Sequence, residues 1–118
     1  MIANFSKNKN VYLLFAILGI LSISFYKDTI NLFPSYIHAW TQSDRYALAL
    51  GFIDNGFDFF HPCSYNLKTV NGITSVDFPI HEYIIAVIMK ITGSTAPLIF
   101  RIYILLYGLT GLSLILVF

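Results

Sequence analysis

The sequence predicts an all-α membrane protein with three transmembrane helices, and three observations carry that reading. Of the 118 residues 57% are apolar and 11% are charged, against roughly 25% charged in an ordinary soluble domain. The apolar residues gather into three runs: Val11 to Tyr26, Ile80 to Ile91, and Pro97 to Phe118. Between the first and second lies a polar, aromatic-rich stretch, Lys27 to Phe78, too long for a simple connection. The expected architecture places spans at about 10–28, 79–92 and 96–118, with an outer loop of about 29–78 that carries interfacial helices.

Charge and cysteine content narrow the function classes. The formal charge is +1, from seven basic and six acidic residues scattered without a run. Such a chain has no stripe that could track a phosphate backbone, so nucleic acid is not an expected partner. Cys63 is the single cysteine. It excludes an internal disulfide and, without clustered His or Cys, gives no support to a structural zinc site.

Lys7 and Lys9 before the first apolar run resemble the basic region of a signal peptide, yet Ser24-Phe25-Tyr26-Lys27 lacks a small-x-small cleavage site. A retained anchor is expected. Its apolar core of about 16 residues would rise only about 24 Å as a helix, short of a roughly 30 Å hydrocarbon layer, so either Asn10 and Tyr26 lie near the interfaces or the helix extends toward Asp28. Lys7, Lys9, Lys90 and Arg101 fall on one side if the chain crosses three times. By the positive-inside pattern the N-terminus and the 92–96 turn are expected on the cytoplasmic side of a multi-pass bacterial cytoplasmic membrane protein, with the loop outside.

Within the loop, Ser43 is suited to cap a helix that starts at Asp44, runs through Tyr46, Leu48, Leu50, Phe52 and Ile53, and stops at Gly56. A second short segment, Phe57 to His61, also reads as a helix and ends at Pro62. Trp40, Tyr46, Phe52, Phe57, Phe59 and Phe60 either lie at interface depth or pack against the spans. Asn66 to Ser75 contains Asn71-Gly72 and reads as a turn. Pro79 suits the first turn of the next helix, where its missing N–H costs nothing, and Gly93 ends that helix. Pro97 opens the last run, in which Gly108 and Gly111 offer close helix packing. Because the sequence stops inside an apolar run, the chain is expected to be the first part of a larger polytopic protein.

Two carboxylates stand out near the expected membrane surface. Asp44 has two readings: a first-turn residue whose charge suits the helix dipole, or a base that takes a proton from an acceptor hydroxyl. Arg45 beside it has the geometry to grip a phosphate or Asp44 itself, or it is a solvated surface arginine. Asp77 either caps the helix near Pro79 or binds a divalent ion together with His81 or Glu82, a spacing that leaves a coordination shell incomplete. His61 faces the outer cavity or is a satisfied structural histidine.

His38-Ala39-Trp40-Thr41-Gln42-Ser43-Asp44, then Tyr46-Ala47, then Asn55-Gly56-Phe57-Asp58-Phe59-Phe60-His61-Pro62, and finally Val76-Asp77-Phe78-Pro79, resemble the first outer loop of the C-type (GT-C) membrane glycosyltransferases, a group that includes protein O-mannosyltransferase and aminoarabinose transferase relatives. The resemblance implies the N-terminal part of a GT-C-like fold and, in a full-length protein, transfer of a sugar from a polyprenyl-phosphate donor to a cell-surface lipid, glycan or protein. It implies Asp44 as the catalytic base or orienting group, and Gln42, Arg45 and His61 on substrate or phosphate. Asp77 and His81 would lie by the donor phosphate or a metal, Mg²⁺ or Mn²⁺. Two departures stand against it: Arg45 follows Asp44 where an Asp-Glu pair is common, and Cys63 stands where many relatives carry an arginine. The competing class is a non-enzymatic membrane accessory or scaffold protein whose aromatic loop binds a partner. The isolated piece is expected to bind membranes without turning over a lipid-linked sugar.

Overall fold

The computed structural model describes residues 2–34, 38–65 and 68–115, with side chains in the first helix described at Lys9 and from Val11 onward. Four helices follow in order: α1 (Ile2–Tyr26), α2 (Ala39–Asp54), α3 (Ile80–Thr92) and α4 (Pro97–Ile115). The chain divides into two units, Met1–Ile30 with Arg101–Phe118, and Asn31–Phe100.

In the 31–100 unit α2 packs against α3. α3 buries Glu82, Ile85, Ala86 and Met89, an i, i+3, i+4, i+7 series that places four side chains on one helix face. α2 answers with Tyr46, Leu48, Ala49, Gly51 and Phe52. Phe52, Ile85 and Met89 are the largest fully buried side chains, each worth about 1.5–3 kcal/mol of transfer free energy. Glycines close both helices. Gly56 takes φ 73° just past α2, and Phe57 N–H reaches back to the Phe52 carbonyl at 2.8 Å. Gly93 takes φ 65° at the end of α3, and Ser94 N–H reaches the Met89 carbonyl at 3.2 Å. Both are six-to-one closures that need a left-handed residue, for which glycine carries no Cβ penalty.

Between α2 and α3 the chain turns back on itself. Asn71 and Gly72 have φ 55° and 73°, and Ile73 N–H donates to the Val70 carbonyl at 3.2 Å, the two-residue turn that Asn-Gly favours. Just beyond this turn the chain pairs with the earlier 62–64 segment, through Ser64 N–H to Gly72 O and Thr74 N–H to Pro62 O, both 2.9 Å, around an antiparallel bridge of Cys63 with Ile73. This small hairpin lies on α2 at Gly51, where an added Cβ would come within 1.9 Å of the Cys63 carbonyl oxygen.

The three expected spans are corrected by the helix lengths. Among the described residues only α4 is long and apolar enough to cross a membrane. α3 has the expected limits, but 13 residues rise only about 20 Å, and its apolar face is taken up by α2. In α1 the apolar part is Val11–Tyr26, about 24 Å of helix and under the spanning length. In α4 two hydroxyls bond back to their own helix, Thr110 to the Leu106 carbonyl at 2.7 Å and Ser113 to the Leu109 carbonyl at 2.8 Å. Such bonds let polar side chains sit in an apolar helix without unmet donors.

Local expectations are corrected as well. α2 begins at Ala39, not Asp44, and His38 at its N-cap makes no side-chain capping bond, so Ser43 and Asp44 lie inside the helix. Phe57 to His61 is not a helix. A Cβ added at Gly108 or Gly111 would meet nothing within 4 Å, so these glycines do not mark a close helix contact. The interfacial placement of Asn10, the side chain of Lys7, Asn66 in the expected turn and residues 116–118 of the third run lie outside the described residues.

Candidate functional site

The one buried charge of the described core is Glu82, in the first turn of α3. It is 2% exposed, and the free N–H groups of that turn favour a carboxylate there. Arg45 of α2 reaches across the seam and donates from Nη1 to Glu82 Oε1 at 2.8 Å, with 45% of its own side chain exposed. Glu82 Oε2 is buried and has no hydrogen-bond partner. The seam therefore holds a half-satisfied ion pair, which depends on Arg45 for its only counter-charge among the described contacts.

Around this pair the aromatic residues form two clusters. Near the end of α2, Phe52 meets Tyr83 edge-on at 5.3 Å, Phe57 and Phe59 meet Tyr83 at 5.8 and 5.4 Å, and Phe59 carries Phe78 at 5.1 Å and Phe60 at 5.6 Å. In the middle of α2, Tyr46 lies between Phe33 at 6.2 Å and Phe100 at 5.9 Å, and its hydroxyl donates to the Thr95 carbonyl. Burial raises the Tyr46 pKa by disfavouring the phenolate. Tyr46, Phe52, Phe57 and Phe59 are thus packing residues. Trp40 and Phe60 stay exposed.

Beside the first cluster Asp58 accepts from Phe60 N–H at 3.1 Å and contacts His61 Nδ1 at 2.8 Å. The His61 hydrogen bond, the largest influence, holds the Asp58 carboxyl below its ordinary value, so this local structure is present above the usual carboxylate pKa and is lost as pH falls through the lowered one. Tyr65 donates to Asp54 at 2.5 Å. That bond, with burial and the carboxylate charge behind it, pushes the Tyr65 pKa up to about 12. The sign is opposite to that of Asp58: the contribution is complete below the ordinary tyrosine pKa and is lost as pH rises through about 12. Absorbance at 295 nm should show one tyrosine ionising near pH 12 that is absent from Tyr65→Phe; identical titrations of the two chains would refute the Tyr65–Asp54 bond.

The residues singled out in the sequence are not gathered into one site. Asp44 is exposed on α2, two turns before Phe52, and Asp77 is exposed ahead of α3; no described contact joins them. Arg45 is engaged by Glu82, and His61 by Asp58. Gln42 is half-buried, as is His81. Among the described residues no three His, Cys, Asp or Glu side chains gather in a way that could hold a metal ion, Asp77 and His81 included. In the sequence Glu82 stands out only as an alternative to His81 for binding a divalent ion beside Asp77. The signal that could have found it is a carboxylate on the same face as Ile85, Ala86 and Met89, which marks a buried acid in need of a partner.

No family model, no curated protein and no solved structure matches this chain. That result, with one spanning-length helix in place of three, overturns the resemblance to the C-type glycosyltransferases and the multi-pass placement in a bacterial cytoplasmic membrane. The transferase reading falls with them: the described residues hold neither the three-span frame nor a gathered ligand set. The roles which the resemblance implied for Asp44, Gln42, Arg45, His61, Asp77 and His81 lose the reaction they served.

Proposed function

We propose that the chain is a non-enzymatic membrane accessory or scaffold module, anchored by α4 and carrying the α2–α3 layer as its shaped part. The observation behind this reading is α4 itself. It is 19 residues long, and only 17% of its apolar window is buried within the protein, so Ile102, Ile104, Leu106, Leu112, Leu114 and Ile115 face outward. An uncovered apolar surface of that length finds its complement in lipid hydrocarbon. The α2–α3 layer has its own core, as a unit that holds a fixed shape outside the hydrocarbon requires.

Alkaline extraction of membranes from cells that produce the chain gives the test. The chain should stay in the membrane pellet, and Ile104→Arg/Leu112→Arg should release it, since each charge near the centre of a span costs about 2.5–3.5 kcal/mol. Release of the unaltered chain by alkali would sink the reading.

A further inference from the structure

The dipeptide Asn-Gly occurs at Asn55-Gly56 and at Asn71-Gly72, and as sequence the two are equivalent. In each, the glycine has no Cβ to shield its backbone nitrogen, which can attack Cγ of the asparagine. A C–N bond forms, the Cγ–Nδ2 bond breaks, and ammonia leaves with the proton of the glycine N–H. Water then opens the five-membered succinimide to aspartate or to isoaspartate. In isoaspartate the main chain runs through the former side chain and is one methylene longer. Water is the only co-reactant.

Ring closure needs the glycine nitrogen to stand beside Cβ about the asparagine Cα–C bond. With ψ 24° at Asn55 and 22° at Asn71, that nitrogen stands beside the asparagine's own nitrogen instead, well away from Cβ. Neither folded turn can close the ring, so reaction has to follow local opening. The two places differ in what opening breaks. At the end of α2 the Asn55 N–H and Nδ2 both donate to the Gly51 carbonyl, at 2.9 and 3.0 Å. The next residues are held as well, by Phe57 N–H on the Phe52 carbonyl at 2.8 Å and by the Phe57 ring against Tyr83 at 5.8 Å. Asn71 is exposed beside Val70, which is 82% exposed. There Gly72 N–H reaches the Thr69 carbonyl only at 3.4 Å, and among the described residues none hydrogen-bonds the Asn71 side-chain amide.

We propose that Asn71 is a site of spontaneous deamidation to isoaspartate, selected over Asn55 by the fold, and that its conversion releases the pairing of 72–74 with 62–64. The Gly72 carbonyl accepts from Ser64 N–H at 2.9 Å, and the Asn71 carbonyl accepts from Cys63 Sγ at 3.7 Å. Isoaspartate turns the Asn71 carbonyl into a carboxylate off the main chain and displaces Gly72 by the added methylene. Neither contact keeps its geometry, a negative charge is gained, and the buried Cys63 becomes reachable. The change does not reverse by itself, so the hairpin stays open in every chain that has reacted.

The full chain in detergent is kept in warm neutral buffer, one portion folded and one in urea, and digested with trypsin at intervals. Asn55 and Asn71 fall in separate peptides, 46–68 and 69–90. Fragment masses locate the deamidated residue, and methyl transfer by an isoaspartyl methyltransferase marks the isoaspartate. In urea the two sites should convert at similar rates. In the folded chain Asn71 should convert about tenfold faster than Asn55 or more, which corresponds to about 1.4 kcal/mol between their opening costs. Asn55 keeping pace with Asn71 in the folded chain would overturn the selection. No conversion of folded Asn71 in the time that urea converts both would overturn the site. Maleimide should label Cys63 faster in the isoaspartate fraction than in the unreacted chain, and equal labelling would overturn the release of the pairing.

Discussion

Gly51→Ala should loosen the 31–100 unit more than any other single methyl group added to it. The new Cβ would lie 1.9 Å from the carbonyl oxygen of Cys63 and 2.8 Å from its carbonyl carbon. Both are backbone atoms, so no side-chain rotation relieves the clash; the 61–74 hairpin has to lift from α2. Overpacking of this kind costs about 3 kcal/mol, which outweighs the roughly 1 kcal/mol that alanine gains over glycine inside a helix. A net loss of about 2 kcal/mol corresponds to roughly 30-fold more frequent opening. Cys63 is the sole cysteine and is buried, which makes its thiol the reporter: maleimide labelling of the native chain should accelerate by about that factor when opening precedes labelling. Gly108→Ala, with open space at its Cβ, is the control and should leave the rate unchanged. Equal labelling of Gly51→Ala and the unaltered chain would show that the hairpin does not rest on α2.

Arg45→Ala is expected to destabilise the same unit by about 3 kcal/mol, the lower part of the range for breaking a buried ion pair from one side. Glu82 would keep its carboxylate at 2% exposure with no counter-charge, and Oε2 already lacks a partner. The lower part of the range applies because Arg45 is 45% exposed, so water can follow where the guanidinium leaves. Removing both charges is a different experiment. Arg45→Met/Glu82→Met should lie within about 1 kcal/mol of the unaltered chain, since apolar replacements of similar volume remove the desolvation penalty together with the attraction. Urea unfolding followed by far-UV circular dichroism, arranged as a double-mutant cycle, reads both values. A single Arg45→Ala change that shifts stability by less than about 0.5 kcal/mol would mean that the pair is a surface contact and not a support of the seam.

Several elements were legible in the sequence because their chemistry is local. Pro79 and Gly93 bracket α3, Pro97 opens α4, Gly56 follows the end of α2, and Asn71-Gly72 makes the turn. Each depends on the dihedral freedom of one or two residues, which their neighbours in the chain cannot override cheaply. The start of α2 was not legible. No side chain caps it, and the strong capping residue in view, Ser43, lies inside the helix. The candidate site was legible only in its parts. Arg45 and His61 were visible as polar residues in an aromatic loop, but the pairing of Arg45 was not, because Arg45 and Glu82 are 37 positions apart.

What the sequence alone determined about this protein is that it is helical, apolar and rich in aromatic residues, and that its last apolar run has the length of a membrane span. Only the tertiary structure decided which apolar surface is used inside the protein. Ile85, Ala86 and Met89 read equally well as a lipid-facing stripe or as a core, since burial against a helix and burial in hydrocarbon remove the same area from water. Packing against α2 fixed the choice for α3, whereas only 17% of the apolar window of α4 is buried inside the protein.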